Sequence, residues 1–170
     1  YPVVFNPEFL VERTATRDFK NTSRVILGGP PVATNILSEF YLKVFPEADV
    51  IKTDSTTAEM VKYLTNAFLS VKVSFANEMY SICENLGINY DKVIEHALHD
   101  IRLGQTHWSV PGPDGHYGFG GSCFPKDINA LIHLANTMCI KTGTVSGAWE
   151  TNLRMRPEKD WEDLKGRAVV

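Results

Sequence analysis

The sequence has no Gly-x-Gly-x-x-Gly run, so the usual pyrophosphate loop of a dinucleotide site is missing. Its apolar runs are short and interrupted, which excludes a helical membrane span, and no secretory signal is visible. There are only three cysteines, an odd number without zinc-type pairing, which fits a reduced cytoplasmic setting. Cys83 and Cys139 fall in helical patterns and read as small core residues. Lys and Arg total 17 against 20 Asp and Glu, for a net charge of −3. With no basic stripe, nucleic acid is not an expected partner. His96 and His99 are three apart, but no carboxylate or cysteine clusters with them, so no metal site is expected. What is present is 170 residues at 44% hydrophobic content, enough for a buried core in one or two domains.

The first third reads as strand, helix, strand. Tyr1–Phe5 is strand-like, and Ser23–Gly29 is a buried strand ending in glycines. Pro30 and Pro31 open a helix running to about Phe45, and Ala48–Thr53 is a second short strand. This rhythm suggests the tail of a doubly wound α/β domain. The period then changes. No Gly or Pro occurs from Thr56 to Leu86, and apolar residues recur at Met60, Leu64, Phe68, Val71, Phe75, Met79, Ile82 and Leu86. Those steps of three and four predict one long amphipathic helix over 56–86, roughly 45 Å long and closed by Gly87. A second stripe of Ala67, Ser70, Ser74, Asn77 and Ser81 would let another helix approach closely, from the same subunit or a second one. Asn89–His99 reads as a helix, Gly104–Gly121 as a loop, and further helices start at Pro125 and near Val145.

The most telling segment is Gly118-Phe119-Gly120-Gly121-Ser122-Cys123-Phe124-Pro125-Lys126-Asp127. Glycines let backbone approach a ligand closely, and Pro125 suits the first turn of a helix. Cys123 therefore stands where a glycine loop meets a helix N-terminus. The helix dipole and unpaired amides there favour a thiolate, the nucleophilic form. The alternative is a small buried cysteine beside a turn. Asp127 lies four residues on, on the same helical face; alternatively it is a first-turn carboxylate favoured by the dipole.

This segment resembles the cysteine motif of the UDP-glucose/GDP-mannose dehydrogenase family. Three further blocks carry the same resemblance in order and spacing: Asn6–Ala15, Thr57–Phe68 and Asp100–Gly104. The resemblance covers essentially the whole chain, but only the central part of the family's usual length. It implies an α/β fold in which 1–54 is the C-terminal part of a Rossmann-like NAD-binding domain. A mainly helical central dimerisation domain would follow over 55–154, with the catalytic cysteine and the long helix. Residues 155–170 would be a linker and the first strand of a C-terminal UDP-binding domain. The ends of the chain fall in strand-like runs, so an incomplete and inactive piece of a longer enzyme is expected.

The implied activity is NAD-dependent four-electron oxidation of UDP-glucose to UDP-glucuronate, with the NAD site largely outside this segment. By the resemblance, Cys123 is the nucleophile, passing through a thiohemiacetal and a thioester. Lys62 and Asn66, one turn apart, would stabilise an oxyanion, although a helical lysine is by itself usually solvated. Asp127 would orient or deprotonate water. Glu8 would be an acid/base or water-orienting group and Glu12 a weaker candidate, with helix capping as their other reading. Phe9, Leu10, Phe119, Gly120 and Gly121 would line the nucleotide sugar. Arg102, otherwise an ordinary surface arginine, would reach the substrate of the neighbouring subunit in a homodimer built on the long helix. Phe124 favours UDP-glucose. GDP-mannose oxidation is the nearest alternative, and a non-catalytic dimerisation or sugar-nucleotide-binding module is the other. A cysteine hydrolase lacks a convincing cysteine–histidine pair.

Overall fold

The computed structural model describes residues 2–164 and 166, with Glu12 described by its backbone alone. Tyr1, Lys165 and the expected strand at 167–170 lie outside the described residues. The chain divides into two compact units, with the boundary between Leu64 and Thr65.

The first unit begins with an extended segment, a 3-10 turn at Glu12–Thr14 and helix α1 (Ala15–Lys20). Strand β1 (Arg24–Gly28), helix α2 (Pro31–Val44) and strand β2 (Asp49–Thr53) follow. β1 and β2 pair in parallel, with Val25 opposite Val50. Parallel neighbours need a crossover, and α2 supplies it. β1 is buried at all but its first position, as its unbroken apolar run predicts. Val25, Leu27 and Ala48 form the core with Leu37, Tyr41 and Phe45. The N-terminal run does not form the expected strand among its described residues. Only Phe5 pairs, antiparallel to Gly28, because Pro2 and Pro7 remove donors on either side. Nor does Asn6-Pro7 start a helix: residues 6–11 are irregular, so Glu8 and Glu12 do not share a helical face.

Helix α3 (Ser55–Leu86) is the expected long helix, 32 residues or about 48 Å. Gly87 ends it at φ +68°, a left-handed cap that favours glycine. The roles of its two stripes are the reverse of what apolarity suggests. Ala67, Ser70, Ser74 and Asn77 are buried within the second unit, whereas Met60, Leu64, Phe68, Phe75, Ile82 and Leu86 are exposed. Small side chains are what close packing admits, and here the neighbours they admit belong to the same chain. Only Val71 and Met79 of the apolar stripe pack inward.

The second unit adds α4 (Tyr90–Ala97), a 3-10 turn at Ile101–Leu103, α5 (Cys123–Thr137), α6 (Gly143–Met155) and a 3-10 turn at Asp160–Asp163. Asn89 caps α4 by accepting the Lys92 N–H at 2.9 Å. One core gathers Ala76, Cys83, Tyr90 and Val110; another gathers Phe119, Ile128 and Ala148 with Phe124 and Trp149. α5 begins two residues earlier than Pro125 suggests, so Cys123 is its first residue. Pro125 still falls in the first turn, where no amide donor is needed. Cys139 is not a core residue: it is exposed just beyond α5, at φ +57°. The chain is thus mainly helical with a small parallel sheet, an α/β fold. No helix of the described residues is long and apolar enough to cross a membrane.

Candidate active site

Cys123 is half-buried at the start of α5. Ser122, at the N-cap, makes no side-chain cap bond; its hydroxyl lies 3.8 Å from the Cys123 Sγ. The glycine loop before it is fastened by side chains from distant parts of the second unit. Gly118 N–H donates to Asn77 Oδ1 at 3.0 Å. Phe119 N–H donates to Asn152 Oδ1 at 2.7 Å, and Asn152 Nδ2 donates back to the Phe119 carbonyl at 2.9 Å. Gly121 N–H donates to Asp160 Oδ2 at 3.0 Å. Asn77 and Asn152 are buried, so the bonds they make to Gly118 and Phe119 are shielded from water and their loss would leave unsatisfied groups. The amides of Phe119 and Gly121, two of the expected substrate contacts, are therefore engaged within the protein.

Asp160 is itself held. Arg156 is almost fully buried, and its Nε donates to Asp160 Oδ1 at 2.6 Å while Nη1 donates to Asp114 Oδ2 at 2.9 Å. Burial works against both carboxylates, but hydrogen bonds and the Arg156 charge outweigh it, holding Asp114 and Asp160 below the ordinary carboxylate range. Sequence reasoning missed Asn152, Arg156 and Asp160 altogether, and read Asn77 only as a small packing residue.

The other sequence-predicted groups fall in two sets. In the second unit, Asn66 Nδ2 donates to Asp127 Oδ2 at 2.5 Å, and Lys126 pairs with Oδ1. The Asp127 carboxylate is 1% exposed, so it is a buried acceptor rather than a solvated first-turn charge. In the first unit, Lys62 lies 3.4 Å from Glu8 Oε2, and Glu8 Oε1 accepts the Leu10 N–H at 2.7 Å. The Lys62 side chain is mostly covered, unlike a solvated helix-surface lysine. Phe9 carries the Arg24 guanidinium over its ring at 4.2 Å. Phe9 and Leu10 also line an open cavity of about 630 Å³ with Phe19, Tyr41 and Phe45. The Glu12 side chain lies outside the description.

Arg102 is exposed and held by its own neighbour. Its Nε donates to Asp100 Oδ1 at 2.9 Å and to Oδ2 at 3.0 Å, and Asp100 also accepts the Arg102 N–H. Another residue missed in the sequence anchors this turn. Lys72, in mid-α3, is buried and donates to the carbonyls of Leu103 at 2.8 Å and Gly104 at 3.1 Å. Its ammonium sits 4.6 Å from the Trp108 ring centre, and burial lowers its pKa. Its only sequence signal is a charge at helical spacing from Phe68 and Phe75 of the apolar stripe.

The glycine turn after β1 leaves no room for a diphosphate. A Cβ at Gly29 would meet the Val3 carbonyl oxygen at 2.9 Å, so the chain's own N-terminal segment fills that turn. The described residues contain no group of three His, Cys, Asp or Glu placed to hold a metal ion.

Comparison with known proteins follows the same lines. Residues 56–154 match the central domain of the UDP-glucose/GDP-mannose dehydrogenase family. The chain is 38% identical over 156 residues to the UDP-glucose 6-dehydrogenase TuaD of Bacillus subtilis (strain 168), covering 92% of this chain and 32% of that protein. Among solved structures it resembles a UDP-glucose dehydrogenase from Pyrobaculum islandicum, with TM-score 0.78 and 32% identity over 98% of this chain and 37% of that one. It also resembles a UDP-D-ManNAc dehydrogenase from Pyrococcus horikoshii, with TM-score 0.74 and 28% identity over 92% of this chain and 35% of that one. The chain spans about a third of the length of these relatives. On the matched central domain and the relatives' identity along nearly all of this chain, it belongs to the UDP-glucose/GDP-mannose dehydrogenase family.

Proposed function

We propose that this chain supplies the catalytic cysteine and the dimer-forming helix of an enzyme that oxidises the C6 hydroxyl of UDP-glucose to a carboxylate. The observation that carries the reading is Cys123 at the first residue of α5, behind a glycine loop whose amides are tied to the side chains of Asn77, Asn152 and Asp160. NAD would accept the hydrides, at a site assigned largely outside this chain.

The Cys123 thiol adds to the C6 aldehyde, forming a C–S bond and a thiohemiacetal. Loss of a hydride from that carbon and of the hydroxyl proton to solvent leaves a thioester. Water then attacks the thioester carbonyl, the C–S bond breaks, and the thiol and carboxylate are released. Asp127, buried and charge-paired, is assigned to orient that water, with Asn66 fixing its carboxylate. Lys62 is assigned to the developing oxyanion, and Glu8 to acid/base work beside it. Arg102, held outward by Asp100, is assigned to the substrate of a second subunit. Phe9, Leu10 and Gly120 are assigned to the nucleotide sugar.

The test is NADH absorbance in a polypeptide of the relatives' length that carries this chain, with UDP-glucose and GDP-mannose in parallel. Two NADH per UDP-glucuronate are expected, and none from this chain alone. Turnover of GDP-mannose without UDP-glucose would overturn the substrate assignment.

A homodimer belongs to the same proposal. Six apolar residues stand exposed on one face of α3, and burying each against a second copy contributes on the order of 1 kcal/mol. Phe68→Glu with Phe75→Glu is expected to convert the dimer to a monomer in analytical ultracentrifugation. An unchanged sedimentation coefficient would place the interface elsewhere. A cytoplasmic setting is part of the reading too, supported by three free cysteines.

A further inference from the structure

We propose that Arg156, Asp160 and Asp114 form a clamp that positions Cys123 through the Gly120–Gly121 backbone, and that the clamp serves the thiol-dependent half of the reaction. The proposal rests on the reading of Cys123 as nucleophile. None of the three clamp residues is placed at the reacting atoms; they are positioning residues.

The geometry is direct. Gly121 is two residues before Cys123 and sits at φ +69°, a conformation that leaves the loop little intrinsic rigidity. Rotation about the Gly121 torsions would swing the start of α5 and the sulfur with it. One charge-assisted hydrogen bond opposes that rotation, from Gly121 N–H to Asp160 Oδ2 at 3.0 Å. Asp160 is fixed in turn by Arg156 Nε at 2.6 Å, and the guanidinium is fixed from its other side by Asp114 Oδ2 at 2.9 Å. Asp114 is held by accepting the His116 N–H at 3.1 Å. The loop lies flush on this assembly: a Cβ at Gly120 would overlap the Arg156 guanidinium and Asp160 Oδ1. Arg156 is 3% exposed and its guanidinium is held from two sides, although the Asp114 and Asp160 side chains are 34% and 39% exposed.

A clamp that only stabilised the fold would affect every step alike. A clamp that aims the sulfur has a different signature. The first oxidation, alcohol to aldehyde, needs no thiol. The second begins with addition of the Cys123 sulfur to that aldehyde. A misplaced sulfur therefore lets aldehyde escape before it is captured.

The experiment is Asp160→Ala in a polypeptide of the relatives' length, fed UDP-glucose and NAD, with a hydrazide to trap released aldehyde. Trapped aldehyde and UDP-glucuronate are counted by mass spectrometry. The expected result is a rise in the aldehyde-to-carboxylate ratio of about tenfold or more, read at saturating UDP-glucose so that altered substrate binding does not enter. Asp160→Asn keeps an acceptor oxygen for Gly121 and is expected to restore part of the carboxylate yield. A ratio equal to that of the unaltered enzyme overturns the clamp, whether or not the total rate falls. Should Asp160→Ala not fold, Arg156→Lys is read by the same ratio. Cys123→Ser in parallel separates the two levels. If that variant still makes carboxylate, the reading of Cys123 fails. If it makes none while Asp160→Ala leaves the ratio unchanged, the reading stands and the clamp falls.

Discussion

Cys123→Ser, in a polypeptide of the relatives' length, is expected to lower UDP-glucuronate formation by about a thousandfold or more. The substitution nearly preserves size, so the half-buried position keeps its packing. It changes the chemistry. A thiol ionises near neutrality and leaves readily from an acyl carbon, whereas a serine hydroxyl needs a base held against it to do either. The described geometry places Ser122 Oγ against the sulfur, and a hydroxyl is no such base. The measurement is UDP-glucuronate by chromatography alongside the melting temperature. Unimpaired product from a folded variant would remove Cys123 from the mechanism.

The largest stability effect is expected at Gly118→Ala. Two penalties coincide there. Gly118 sits at φ +65°, which disfavours an L side chain by about 1 kcal/mol. The added Cβ would also overlap Asn152 Oδ1. That oxygen cannot simply withdraw, because it accepts the Phe119 N–H while the same amide donates to the Phe119 carbonyl. Together these are expected to cost about 3 kcal/mol, lowering the melting temperature by roughly 6–12 °C. Gly115→Ala is the control. It has φ +83° and nothing within 4 Å of the new methyl, so only the backbone penalty applies. Circular dichroism on this chain checks the difference. Equal losses at the two positions would show that the Asn152 contact is not rigid.

Local signals in the sequence were strong enough for the elements themselves. The strand before Gly28, the helix opened by Pro30-Pro31 and the uninterrupted run to Leu86 all formed where their residues predict. So did the junction of glycine loop and helix at Cys123. What periodicity does not encode is which face of a helix the rest of the chain covers. On α3 all of the apolar stripe but Val71 and Met79 stayed outside, because the residues that admit close neighbours are Ala67, Ser70 and Ser74. The irregular path through Glu8 was missed for a related reason: pairing of Phe5 with Gly28 fixes it, and that contact is distant in sequence. The supports of the glycine loop were invisible on the same ground. Asn77, Asn152 and Asp160 are ordinary helix and turn residues until folding brings them to one strip of backbone.

Those anchors also set where the chain tolerates a change of length. Gly118, Phe119 and Gly121 meet partners fixed on separate elements, so one inserted or deleted residue there puts several anchors out of step at once. The preceding turn behaves differently. It closes on itself, with Gly112 N–H on the His116 carbonyl at 2.7 Å and Gly115 N–H on the Gly112 carbonyl at 2.9 Å. Residues can be added at its tip without moving either end, provided Asp114 still reaches Arg156. Length variation in this part of the protein is therefore confined to one short window, just upstream of a strip that admits none.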